Sequence, residues 1–133
     1  MKIAMAQINT TVGALAANAD LIVEYIGRAR EAGADIVVFP EMSITGYPTY
    51  DLLYEEGFVN ENLAMIEKKI APAAEGIVVV TGCIDMLEDE EPDEEGEARR
   101  ANCAAVIAGG RIIRKVQKTL LPGYDVYDEK RYF

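Results

Sequence analysis

An unbroken apolar run, Ile36-Val37-Val38-Phe39, is followed at once by Pro40 and Glu41. A short run of this kind with no polar alternation reads as a buried strand of a parallel sheet. Proline has no N–H to donate to a ladder, so the strand ends there. Glu41 then stands just past the strand's carboxyl end, the edge of an α/β sheet where ligands collect. A carboxylate delivered to that edge is a candidate catalytic base. From position alone, a solvated loop glutamate is the simpler reading.

The surrounding sequence supports an α/β fold. Residues 2–9 read as a first strand. Asn18 is placed to cap a helix on which Leu21, Ile22, Tyr25, Ile26 and Ala29 recur at helical spacing, with Gly33 as its stop. Residues 34–39 form the second strand, completing a βαβ unit. A loop follows over 46–57, with a short helical turn at 51–54 and Tyr47, Tyr50 and Tyr54 clustered in it. Those rings either cover the core or wall a pocket. Residues 58–70 read as an amphipathic helix ended by Pro72, and 77–82 as a third buried strand. Strands over 101–108 and 111–116 are joined at Gly109-Gly110, a hairpin turn. The expected order is β-α-β-α-β-β-β.

Composition narrows the chemistry. With 133 residues the chain suits one domain. It contains no histidine, which excludes a Ser-His-Asp triad, a Cys-His pair or a His-ligated zinc within these residues. A general base must then be a carboxylate, lysine or tyrosine. The net charge of −10 argues against nucleic acid or anionic membrane partners. Much of that charge lies in 88–97, where Glu88, Asp89, Glu90, Glu91, Asp93, Glu94, Glu95 and Glu97 form an acidic run expected to be a solvated loop. No apolar stretch is long enough to span a bilayer, and no signal peptide is evident, so a cytoplasmic setting is expected. Cys83 and Cys103 do not make a disulfide framework there.

The stretch 37–48 resembles the first signature of the nitrilase, or carbon–nitrogen hydrolase, superfamily. Gly46-Tyr47-Pro48 followed by Asp51-Leu52-Leu53 is similar to the glutaminase branch found in glutamine-dependent NAD synthetases. Lys118-Thr119-Leu120-Leu121-Pro122 resembles the second signature, and Tyr124 with Asp128-Glu129-Lys130-Arg131-Tyr132-Phe133 extends the likeness to that branch. The resemblance implies the amino-terminal half of an α-β-β-α sandwich. It implies amide hydrolysis, with glutamine as substrate, Glu41 as base and Lys118 stabilising an oxyanion. Tyr47 and Tyr124 would line the substrate pocket. Glu129 would position Lys118 or the amide, or else pair with Arg131 or Lys130. Glu41 and Lys118 are expected on one side of the sheet.

The third signature, which carries the family's nucleophilic cysteine, does not occur in these 133 residues. They therefore read as a partial hydrolase domain, inactive alone, with rival readings as a free-standing nitrilase-like amidase of another substrate or as a non-catalytic fragment or assembly partner. Cys83, in Gly82-Cys83-Ile84-Asp85, is the one tempting substitute. No synthetase-type Ser-Gly-Gly-x-Asp-Ser loop, GxGxxG or Walker signature is present. Neither metal nor cofactor is expected. The partners expected are glutamine, an NAD synthetase domain in a longer parent, and further copies of the chain through an uncovered sheet face.

Overall fold

A computed structural model of the chain describes residues 1–55, 57–87, 99–125 and 127–133. The acidic run lies outside the described residues. Strands β1 (Ile3–Met5), β2 (Ile36–Val38), β3 (Val78–Met86), β4 (Arg100–Ala108) and β5 (Arg111–Gln117) form one sheet, paired in chain order. The first three are parallel. The last three are antiparallel. The parallel connections carry the helices: α1 (Leu15–Glu31) between β1 and β2, then α2 (Phe58–Met65), a π-helical turn (Ile66–Ile70) and α3 (Ala71–Ala73) before β3. Gly109 and Gly110 have φ of 55° and 71°, the conformation a tight hairpin between β4 and β5 needs.

Helical spacing builds the core. Ile22 and Ile26 of α1 are fully buried, as are Ile66 and Ile70 of the π-helical turn. Each such side chain contributes about 1.5–3 kcal/mol by leaving water. They share a single cluster with alternate strand residues Val37, Val79, Cys83, Cys103, Ala105 and Ile107. Both helical layers therefore cover the same face of the sheet. On the other face the intervening residues Val38, Val80, Ala104 and Val106 are only half-buried. Met5 there is 88 % exposed and Val116 is 50 % exposed. A sheet face meant for solvent alternates to polar residues; this one stays apolar.

Local boundaries differ from the sequence reading; β2 is Ile36–Val38 where 34–39 was expected. β1 is three residues, not eight, although the Ala6 N–H still donates to the Val38 carbonyl at 2.9 Å. Helix α1 starts at Leu15, so Asn18 lies within it and caps nothing. Its amide instead donates to the Thr11 and Ile44 carbonyls at 2.8 and 2.9 Å and accepts the Thr11 N–H. Helical backbone runs on through a π-helical turn to Ala73, so Pro72 falls in the last turn and not just beyond the helix. β3 runs on to Met86, held by β4 opposite it, so Cys83 sits inside the strand rather than at its end.

Candidate active site

The turn after β2 is built from buried backbone. The Phe39 N–H donates to the Val80 carbonyl at 2.8 Å, keeping the chain on β3 until Pro40 releases it. The segment then folds back: the Gly46 N–H donates to the Met42 carbonyl at 2.8 Å, and Ser43 Oγ donates to the Pro40 carbonyl. Met42, Ser43, Ile44 and Thr45 are all buried. Asn18 grips the Ile44 carbonyl from below. Glu41 is thus the solvent-facing member of a locked turn. Met42 has φ of 50°, unusual for a residue with a side chain. The turn also lies directly on Gly82 of β3. A Cβ there would stand 2.8 Å from Glu41 Cα and 2.7 Å from its carbonyl carbon, and closer still to the Met42 nitrogen.

Lys118 follows β5 directly, and its N–H donates to the Asn102 carbonyl at 2.8 Å. Its ammonium Nζ donates to Glu41 Oε1 and to Glu129 Oε2, both at 2.9 Å. Glu129 opens a short 3-10 helix (Glu129–Arg131) and is 5 % exposed. Of the partners expected from the sequence, it pairs with Lys118 and not with the neighbouring Lys130 or Arg131. Tyr47 closes the row, its hydroxyl donating to Glu129 Oε1 at 3.4 Å. Asn102 Nδ2 donates to Glu41 Oε1 at 2.5 Å at the other end. Tyr124 stands further out, 70 % exposed, packed edge-on against Tyr127, which in turn meets Tyr47. Tyr50 and Tyr54 pack against Tyr132 instead, and Tyr54 donates to the Arg131 carbonyl.

Alternating charges set the electrostatics. Burial draws the Lys118 ammonium downward, but its bonds to Glu129 and Glu41 outweigh this and hold its pKa above the ordinary lysine value. Lys118 is therefore a fixed cation at neutral pH. Burial, then the Glu129 carboxylate, pushes Tyr47 up to about 12, so it stays a neutral donor. Glu41 and Lys118 border an open concavity of about 400 Å³, floored by Pro40, Val80, Ala104 and Val116. A much smaller cleft of about 20 Å³ is lined by Tyr47, Glu129 and Tyr132. Among the described residues no cluster of His, Cys, Asp or Glu is suited to a metal.

Neither cysteine joins this row. Both are free and buried. Burial, then the neighbouring Cys103, pushes the Cys83 thiol up to about 12; burial also raises Cys103 to about 11. Such thiols stay protonated and inert. Asn102 and Gly82 were not singled out by the sequence reading. Asn102 carried a signal, being a lone amide in an apolar strand. Gly82 carried only its position beside a strand end.

This half-covered sheet, with a carboxylate and an ammonium held together above the carboxyl ends of β2 and β5, has the nitrilase-like fold. The chain belongs to the carbon-nitrogen hydrolase family, which it matches over residues 2–133. It is 45 % identical over 137 residues to a glutamine-dependent NAD(+) synthetase of Xanthomonas campestris pv. campestris, covering all of this chain and 22 % of that protein. It is 42 % identical over 134 residues to the corresponding synthetase of Xylella fastidiosa, with 23 % of that protein covered. The chain thus spans less than a quarter of the curated relatives it matches. Among solved structures it superposes on the glutamine-dependent NAD+ synthetase of Acinetobacter baumannii with a TM-score of 0.87 at 33 % identity, covering 98 % of this chain and 23 % of that one. An amidase from Nesterenkonia sp. gives a TM-score of 0.80 at 25 % identity, covering all of this chain and 47 % of that one. No helix among the described residues is long and apolar enough to cross a membrane.

Proposed function

We propose that the chain supplies the base and the oxyanion cation of a cytoplasmic glutamine amide hydrolase whose ammonia feeds NAD synthesis. The observation that carries this reading is the Lys118 ammonium, bonded at 2.9 Å to both Glu41 and Glu129 at the mouth of an open cavity. A cysteine outside these 133 residues attacks the carboxamide carbon. Glu41 takes the thiol proton and delivers it to the leaving ammonia, then activates water against the thioester. Lys118 faces the oxygen on which negative charge develops. Tyr47 and Tyr124 border the substrate, and Glu129 holds Lys118 in place.

Ammonia release tests this. The full-length protein encoded by the gene is expected to release ammonia from glutamine faster than from other carboxamides. The 133-residue chain is expected to release none, and Cys83→Ala to change nothing. Turnover by the short chain that vanishes in Cys83→Ala would overturn the external nucleophile. Preference for another carboxamide would instead favour a free-standing amidase, a reading supported by the Nesterenkonia superposition.

The apolar face bearing Val38, Val80, Ala104 and Val116 also supports self-association of the isolated chain. Light scattering across a concentration series is expected to show mass rising above the monomer. A constant monomer mass would count against it.

A further inference from the structure

Asn102 is the only polar residue in the β4 run Ala101-Asn102-Cys103-Ala104-Ala105-Val106-Ile107-Ala108, and it is 2 % exposed. A buried amide without partners costs about 1–3 kcal/mol, so its bonds decide why it is tolerated. Register places it opposite Ile84, and Ala104 opposite Gly82, on the face that carries Glu41. Its side chain donates from Nδ2 to Glu41 Oε1 at 2.5 Å. The amide must face the carboxylate nitrogen-first, since oxygen against oxygen would set two acceptors together. Its own carbonyl accepts the Lys118 N–H at 2.8 Å. One residue therefore grips Glu41 by its side chain and Lys118 by its backbone.

We infer that Asn102 is a positioning residue, pinning Glu41 Oε1 beside Lys118 Nζ and leaving Oε2 as the oxygen that exchanges protons during amide hydrolysis. Oε1 already receives two donors, Asn102 Nδ2 and Lys118 Nζ. Among the described residues no hydrogen bond reaches Oε2. Half of the Glu41 side chain is open to solvent, so without the amide nothing on β4 would stop the carboxylate from swinging away. A charge-assisted bond from a buried, rigid strand removes that freedom. The inference rests on the reading of Glu41 as the base.

Nuclear magnetic resonance on the 133-residue chain tests both parts. The charged groups facing Lys118 are Glu41, from the turn after β2, and Glu129, from the 3-10 helix. The Lys118 titration midpoint therefore reports whether Glu41 is in place. Glu41→Gln is expected to lower it, and Asn102→Leu to lower it in the same direction with Glu129 intact. Asn102→Ala gives a second removal of the donor if leucine does not fold. In the unsubstituted chain one Asn102 Nδ2 proton is expected well downfield of ordinary side-chain amides, returning in Glu41→Gln. An unchanged midpoint in folded Asn102 variants, with Glu41→Gln effective, would overturn the positioning role alone. So would an Asn102 amide at its ordinary shift. No change in the midpoint with Glu41→Gln would instead overturn the Glu41–Lys118 arrangement beneath the reading.

Discussion

Replacing Lys118 by methionine is expected to lower kcat for amide hydrolysis by about 10²–10³-fold in the full-length protein, the usual cost of losing one oxyanion donor. The same change should destabilise the chain. Lys118 is the cation between two carboxylates, and the Glu129 side chain is only 6 % exposed. Removing one partner of a buried pair leaves the other charge uncompensated, which costs about 3–5 kcal/mol in the fully buried case. Glu41 is half-solvated and recovers water, so a loss of about 3 kcal/mol is expected. Urea unfolding of the two chains measures it, and a difference under about 1 kcal/mol would show that Glu129 is not held by Lys118.

The pH dependence follows from the sign of the shift. The folded pKa of Lys118 is raised above its ordinary value of 10.5. Its contribution is therefore fully present below that value and lost as pH rises through the higher folded value. The stability gap between the two chains should stay constant across neutral pH and narrow only in strong alkali.

Gly82→Ala is the second large effect. The added methyl would overlap the Met42 nitrogen and stand 2.8 Å from Glu41 Cα, both backbone atoms that cannot rotate aside. Relief requires lifting the whole turn off β3. Overpacking of this kind costs about 1–3 kcal/mol. Because the turn carries Glu41, activity should fall further than stability predicts. A base displaced by about 1 Å can lose about 10²-fold in rate. The matching control is Gly27→Ala, where an added Cβ meets nothing within 4 Å. Equal activity losses in the two variants would show that contact with β3 does not set the position of Glu41.

Much of this arrangement was legible in the sequence because it depends on local rules. The apolar run before Pro40 announces a strand end, and Lys118 follows a second strand closed by Pro122. Periodicity and proline chemistry place both strand ends, while the roles of Glu41 and Lys118 come from the resemblance to the two signatures. The partner of Glu129 was legible only through the resemblance, which offered Lys118 beside the local alternatives. Lys130 and Arg131 are its neighbours in the chain, yet Lys118 is its neighbour in space, and only the packed sheet decides between them. Asn18 illustrates the same limit. Its side chain suits a helix cap, but the Thr11 carbonyl just before the helix and the distant Ile44 carbonyl take its amide instead. Gly82 was hidden because a glycine beside a strand end reads as punctuation, whereas its meaning is the backbone lying on top of it.

The contacts that close the site span most of the chain: Glu41 and Lys118 are 77 residues apart, Asp51 and Tyr132 81, and Tyr47 and Glu129 82. The β3–β4–β5 ladders, by contrast, join strands that are consecutive along the chain. Loop-closure entropy is met before such distant contacts return any free energy, so the local pairings are expected to form first during folding. The charged row then assembles only when the turn after β2 and the tail around Glu129 have both docked on a finished sheet. A chain caught part-way through folding would hold the strands but not the charge pairs, and Glu41 would meet Lys118 only with the last native contacts.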